Sequence, residues 1–417
     1  MEPNVQVRDF VILADESASW KAAGLAQLDR LLLAVNEFAG RVGESVRVRV
    51  FWKPGLDPAK RVAPTRQLPN LQVTEANDGE LRELLQSGPP PVAFLKSSLT
   101  MSRKVMEKLV AAPAGSVPVW VNIGEFTPPL GETELWEWLS QRLQAAPDRS
   151  QDRYFHWQTL RSPEEATRAE VSLLRATAKP VDGTVSRYLN RPISQRVTRL
   201  LSQIAITPNQ WTVLITTLII PCFWLLSRGD YWGFVLGAFC YHLNSVLDGC
   251  DGELARVKYL ESKTGDAVDG ICDFIVNLTY VVAVGIGLWR GTGHVGYLWE
   301  GMAFGAMSCA IEGFAALSSG SPAAQIFLNT VQWIPGASIF ALKPGSGGQC
   351  PPALARTAEF LIKITKRDGY AFLFLCLAIA GLPALTLHLV TVVLLARIVS
   401  LWAFNPAWSP ENSGWRS

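Results

Sequence analysis

Charge is what the second half of this chain lacks. Of 74 charged residues among 417 (38 Lys+Arg, 36 Asp+Glu), residues 1–199 hold 49 and residues 200–417 only 25. A fall to about one residue in nine predicts a water-soluble domain followed by one that is not in water. Cysteine is missing from the first half altogether. The seven present (Cys222, Cys240, Cys250, Cys272, Cys309, Cys350, Cys376) are scattered and never spaced as CxxC. That pattern argues against a zinc site or disulfide framework and reads as small buried side chains. The near balance of charge, net +2, argues against a dedicated nucleic-acid binder. No basic segment leads into an apolar run at the N-terminus, so no cleaved signal is expected and the first domain is assigned to the cytoplasm.

Long uncharged runs stand in place of the missing charge. Residues 200–227 and 369–396 contain none, and the second run carries Gly381-Leu382-Pro383 as a turn between two spans. Further apolar segments at 231–247, 274–289 and 295–319 bring the expected count to six membrane helices, residues 207–405 in all. Lys and Arg fall mainly in the segments 249–264 and 320–368, which places those loops, the first domain and the tail 406–417 on the cytoplasmic side. The stretch 179–206 alternates basic and apolar residues at helical spacing and is expected to lie in the headgroup plane or to serve as a linker helix.

Acids are few in this half, and four of them cluster. Asp248 and Asp251 are three apart; Asp269 and Asp273 are four apart. On helices each pair shares a face. Both pairs lie where apolar segments meet the cytoplasmic loop, and acids bordering spans are functional candidates. Four converging carboxylates require a cation, and all-oxygen ligation favours hard ions such as Mg²⁺ or Mn²⁺. Two ions on shared carboxylates suit in-line displacement at phosphorus. Gly252 and Ala255 leave room for a nucleotide beside the backbone, and the fork of Arg256 matches a phosphate.

The order Asp248, Asp251, Gly252, Ala255, Arg256, Gly265, Asp269, Asp273 resembles the signature of the CDP-alcohol phosphotransferase family at every fixed position. The likeness covers about residues 180–405, including Thr207-Pro208-Asn209 ahead of the first span. It implies six transmembrane helices, a homodimer in a lipid bilayer (here the cell inner membrane, multi-pass), and transfer of a phosphoalcohol from a CDP-alcohol to an acceptor hydroxyl with release of CMP. It also implies residue roles. Asp248, Asp251 and Asp269 would hold one divalent ion, and Asp248, Asp269 and Asp273 a second. Asp273 would be the general base. Asn209, Asp248, Gly252, Ala255, Arg256, Gly265 and Asp269 would line the CDP pocket. Lys366, Arg367 and Arg397 are the basic candidates for anchoring a polar acceptor.

In the first 178 residues, apolar strands at 10–14, 46–52, 92–95 and 118–123 alternate with helical patterns near 24–38, 80–85, 102–110 and 134–143, which predicts an α/β domain with a mostly parallel sheet. Its place before the membrane half resembles a fused subset of the family. There a nucleotidyltransferase-like domain makes CDP-inositol, and the membrane domain joins it to inositol 1-phosphate. Here the loop after the first strand, Ala14 to Lys21, has no glycine and carries acids where a triphosphate needs amides and cations. Lys96-Ser97-Ser98 and Arg161-Ser162-Pro163 stand where that subset has metal-binding acids. A catalytically inactive domain is therefore expected. The donor stays open between CDP-inositol and a CDP-diacylglycerol. A bifunctional cytidylyltransferase/phosphotransferase and a carboxylate-bearing transporter are the alternatives.

Overall fold

The computed structural model describes residues 7–319 and 367–404, apart from 87–90, 104, 113–115, 123–131, 145–146, 148, 151–155 and 179–181. It divides into two units. The first comprises residues 1–180 with 199–205 and 256–259; the second comprises 181–198, 206–255 and 260–417.

The first unit is built on β1 (Asp9–Ala14), whose six residues are all buried. Successive side chains on a strand point to opposite faces, and here both faces are apolar. Phe10, Ile12 and Ala14 enter one core with Leu28, Leu31, Leu32, Val35 and Phe38 of α1 (Gln27–Val42). Val11 and Leu13 enter another with Leu81 and Leu85 of α2 (Asp78–Gln86) and Leu135, Trp136 and Leu139 of α4 (Glu132–Gln144). A short α3 (Met106–Val110) joins the first layer. A strand apolar on both faces belongs at the centre of a sheet covered by helices on both sides, and that is its position. The order is β5 (Leu71–Glu75), β4 (Val46–Trp52), β1, β6 (Val92–Lys96), β8 (Trp120–Asn122). β5, β4, β1 and β6 run parallel; β8 is antiparallel to β6.

The expected α/β domain is thus present, with four of its strands close to the ranges read from the sequence. Strand β5 was not read from the sequence: its burial is intermediate to exposed, and an edge strand needs little apolar alternation. Also outside that reading were the hairpin β2–β3 (Lys21–Ala22, Leu25–Ala26), the antiparallel pair β7–β9 (Leu99–Met101, Trp157–Thr159) and α5 (Pro163–Ala176). The hairpin turn places Gly24 at φ +74°, where an added Cβ would lie 2.2 Å from the Ser202 carbonyl oxygen. The same unit holds the segment 256–259 through Arg30, which donates to the carbonyls of Ala22 and Val257, and Arg66, which donates to that of Lys258. Tyr259 packs beside the first core, and burial pushes its hydroxyl up to about 12.

The second unit is helical. α6 (Arg191–Ser202) follows a single π-helical turn at Ser186–Asn190. α7 (Pro208–Thr216) and α8 (Ile219–Ser227) continue one another, then come α9 (Tyr231–Val257), α10 (Lys263–Thr292), α11 (Val295–Ser319), α12 (Arg367–Ile379) and α13 (Pro383–Phe404). Helices therefore stand at all six segments read as spans, with the 381–383 turn in place. Among the described residues, two stretches are long and apolar enough to cross a membrane, Pro208–Ser227 and Lys263–Thr292. Lys366, the tail 406–417 and most of the basic loop 320–368 lie outside the described residues.

Apolar side chains lie on the outside of these helices as well as in their core. α6 exposes Ile193 and Leu200 yet buries Ser194 and Thr198; Val213, Ile220, Phe223, Trp224, Leu236 and Phe239 point outward. Inside, Tyr241, Tyr280 and Phe374 stack with centroids 4.0 and 5.6 Å apart along the chain of rings. α8 approaches α10 closely because α10 presents glycine: a Cβ on Gly287 would sit 2.0 Å from the Leu226 carbonyl oxygen. Small residues are the usual means of bringing apolar helices together where no water drives them. Gly287→Leu is therefore expected to cost about 1–3 kcal/mol or more by overpacking. Thermal unfolding in detergent checks it, with Gly296→Leu, where an added Cβ meets nothing within 4 Å, as the unchanged control.

Candidate active site

The site begins with two helices and the five residues that join them. α9 carries Asp248 and Asp251 near its C-terminus; α10 carries Asp269 and Asp273 in its first three turns. Ser262 caps α10, its hydroxyl accepting the Gly265 N–H at 3.0 Å, so the helix starts where the acids need it. Carboxylate oxygens of Asp248, Asp251 and Asp269 all lie within 4.8 Å of one another. That separation and donor set fit a hard divalent cation. A further sign is Asp269 Oδ1, which is buried and has no hydrogen-bond partner among the described residues.

The fourth acid is engaged differently. Asp273 Oδ1 is paired with Nη1 of Arg367, and the same nitrogen lies 3.0 Å from Asp248 Oδ2. Nη2 of Arg367 donates to Asn244 Oδ1 at 2.8 Å. One guanidinium thus bridges two of the three carboxylates that the family resemblance assigns to a second ion.

Neighbouring polar groups set the orientation of the acids. The Thr212 hydroxyl donates to Asp251 Oδ2 at 2.6 Å, while Asn244 holds the Ile215 carbonyl through its amide nitrogen at 2.9 Å. The Gly252 N–H meets Asp251 Oδ1. Asn209 and Gly265, distant in sequence, are neighbours: a Cβ on Gly265 would lie 3.1 Å from Asn209 Oδ1. Ala255 is buried on α9, and Arg256 follows it on the same helix. Of the acceptor candidates, Arg367 reaches the acids, Arg397 lies on α13 with its side chain outside the described ones, and Lys366 is outside them altogether.

Sequence reasoning passed over Thr212, Asn244 and Glu253. The available signal was a polar residue in each apolar run, the same cue that drew attention to the aspartates. Glu253 stands inside the acidic motif, yet it points elsewhere. Fully buried, it accepts from Arg191 at 2.7 Å, Ser194 at 2.8 Å and Thr198 at 2.7 Å, and Arg191 also pairs with Asp182 at 2.9 Å. This network ties α6 to α9.

The first unit holds a separate cleft of about 860 Å³. It opens beyond the carboxyl ends of β1, β4 and β6, where the strand order reverses, the usual ligand position in open α/β sheets. Asp15, Glu16, Lys53, Lys96 and Arg161 line it. The loop after β1 satisfies itself: Asp15 accepts the Ser17 N–H at 2.9 Å and the Ser17 hydroxyl at 2.5 Å, and the Asp15 N–H donates to Ser97 at 3.1 Å.

Residues 205–327 match the family model described as CDP-alcohol phosphatidyltransferase. This chain carries a CDP-alcohol phosphatidyltransferase domain. All four aspartates, Gly252, Ala255, Arg256, Gly265 and Asn209 fall inside the match. The chain is also similar to proteins named "Bifunctional IPC transferase and DIPP synthase". The relative from Thermococcus kodakarensis is 42% identical over 126 residues, 30% of this chain and 28% of that protein. The one from Aquifex aeolicus is 29% identical over 228 residues, 54% of this chain and 45% of that protein. In Archaeoglobus fulgidus the figure is 32% over 131 residues, 31% and 26% of the respective chains. The matches thus span less than half the length of these relatives.

Removing one partner of a buried ion pair strands the other in a medium that solvates it poorly. Arg191→Met is expected to cost about 3–5 kcal/mol, leaving Glu253 buried and uncompensated, whereas adding Glu253→Met to it should recover part of the loss. Thermal unfolding of the single and double variants in detergent measures both.

Proposed function

We propose that this chain is an integral-membrane CDP-alcohol phosphotransferase, moving a phosphoalcohol from a CDP-alcohol to an acceptor hydroxyl with release of CMP. The observation that carries the proposal is the close approach of three carboxylates from α9 and α10 inside the matched domain, with Asp273 one helical turn beyond Asp269. Outward-facing apolar side chains on α7, α8 and α9 support the membrane setting and a six-span arrangement with the acids at its cytoplasmic edge.

Asp248, Asp251 and Asp269 would hold a divalent ion, Mg²⁺ or Mn²⁺, with Asp273 joining Asp248 and Asp269 around a second. Such ions supply positive charge to the pyrophosphate and to the departing CMP. The protein's own groups do the rest. Gly252, Ala255 and Gly265 leave the helix surfaces open to the nucleotide, Asn209 borders that opening, and Arg256 offers a planar fork to a phosphate. An alcohol is a poor nucleophile until its proton is accepted. Asp273 takes that role, and the oxygen attacks the β-phosphorus in line with the bond to CMP. Arg367 supplies the cation for an acidic acceptor.

For the donor and acceptor, the resemblance to the fused subset of the family favours CDP-inositol and an inositol phosphate over a diacylglycerol donor. The names of the relatives include a second activity, which would belong to the N-terminal cleft. The closed Asp15–Ser17 loop favours an inactive domain there, because its amides and serine hydroxyl already have intramolecular partners and are not offered to a triphosphate.

Purified chain in detergent with Mg²⁺ or Mn²⁺, CDP-inositol and inositol 1-phosphate is expected to release CMP. Asp273→Asn should reduce that release about 100-fold or more. Absence of CMP from CDP-inositol and CDP-diacylglycerol alike, across hydroxyl acceptors, would refute the proposal. Without substrate, saturating Mg²⁺ or Mn²⁺ should raise the unfolding temperature, by the equivalent of about 2.7 kcal/mol at a hundred times Kd, and Asp269→Asn should remove the shift. The same chain given CTP and inositol 1-phosphate is expected to release no pyrophosphate above background; clear release would favour the bifunctional reading.

A further inference from the structure

Five residues, 258–262, join the helix that carries Asp248 and Asp251 to the one that carries Asp269 and Asp273. The start of that connection is not left to itself, because residues 256–259 belong to the first unit. Val257 is buried there with Ala22, Ala23, Leu173 and Leu174, and its carbonyl accepts from Nη1 of Arg30 at 3.1 Å. Arg30 is itself fully buried and gives Nη2 to the Ala22 carbonyl at 2.6 Å. Nη1 of Arg66 donates to the Lys258 carbonyl at 3.1 Å.

Tyr259 is a residue that a turn alone would not select. Its φ is +56°, in the left-handed region where a side chain is strained and glycine is not. The ring nonetheless packs against the first hydrophobic core, with the Arg103 guanidinium 6.0 Å from its centroid. Strain of this kind persists only where the surroundings hold it in place.

We infer that the first unit serves the transfer reaction as a clamp on the 256–259 segment, and through it on the spacing of the aspartate pairs, with Arg30 and Tyr259 as positioning residues. The consequence for catalysis rests on the phosphotransferase reading; the grip itself does not. A buried guanidinium is costly unless its donors are met. Arg30 meets two of them with main-chain carbonyls from separate segments, so the β2–β3 hairpin and the end of α9 are fixed to one another. Neither Arg30, Ala22, Arg66 nor Arg103 lines the N-terminal cleft. A closed Asp15–Ser17 loop therefore leaves the clamp intact, and the unit retains a use without an activity of its own. Reacting groups tolerate little displacement, so a connection free to shift would misplace the acids on either side of it.

Full-length protein in detergent, with Mg²⁺, CDP-inositol and inositol 1-phosphate, tests this. Tyr259→Gly relieves the backbone and removes the ring, whereas Tyr259→Phe keeps the ring. A residue that only completed a turn would accept glycine without loss. The clamp instead requires Tyr259→Gly and Arg30→Met to lower kcat about 100-fold, with KM for inositol 1-phosphate changed by no more than about twofold, and Tyr259→Phe to keep the wild-type rate. A second readout needs no turnover. The Mg²⁺ concentration that gives half of the thermal-unfolding shift should rise about tenfold in Tyr259→Gly and Arg30→Met. Wild-type kcat and Mg²⁺ midpoint in either variant overturn the inference, even where the ion-free unfolding temperature has dropped. Failure of both variants to fold makes the two residues purely structural and overturns it as well. A wild-type chain that releases no CMP, yet whose Mg²⁺ midpoint moves with Tyr259→Gly, refutes the functional reading and leaves the clamp standing.

Discussion

Everything in the helical unit answers to one electrostatic constraint: several carboxylates are held close together between two apolar helices. Two like charges about 4 Å apart repel by roughly 4 kcal/mol at an effective dielectric of 20, and burial sharpens the cost. The α9–α10 pair accepts this at Asp248, Asp251 and Asp269, whose oxygens lie within 4.8 Å. Such a cluster persists only beside compensating groups. Thr212 and the Gly252 amide serve Asp251, and Arg367 serves Asp248 and Asp273. A site arranged this way is predisposed to cations and to the polyanionic substrates that travel with them.

Glu253 shows that not every acid in the motif serves the same end. Two residues after Asp251, it points away from the cluster into a fully bonded pocket formed by Arg191, Ser194 and Thr198. Its charge is spent on fixing α6 against α9, while the aspartates keep theirs available. Helical geometry separates the roles, since a step of two residues turns a side chain to the opposite side while steps of three and four keep it on one face. Glycine at 287 acts at the other end of the bundle, letting backbones approach where a side chain would hold them apart.

The first unit has the layered, mostly parallel sheet of an α/β fold with a crevice beyond the carboxyl ends of its strands, and its loop after β1 is closed on itself. Asp15 accepts from the backbone and side chain of Ser17, the groups that an open phosphate loop would present to a ligand.

Much of this was legible from residues alone. Short apolar runs located β1, β4, β6 and β8, charge depletion located the helical half, and the three- and four-residue spacings put each pair of aspartates on one helix face. Those are local properties, carried by the backbone repeat of each element. Edge strand β5 and the short β7–β9 pair escaped because their apolar content is too slight or too brief to declare a period. What no local pattern held was partnership between distant residues: Thr212 with Asp251, Asn209 beside Gly265, Glu253 turned toward α6, and Arg367 brought 94 positions along the chain to Asp273. The sequence by itself determined which residues are charged and which face of each helix they occupy. Only the tertiary structure decided which charge neutralises which, because that depends on packing of helices far apart in the chain.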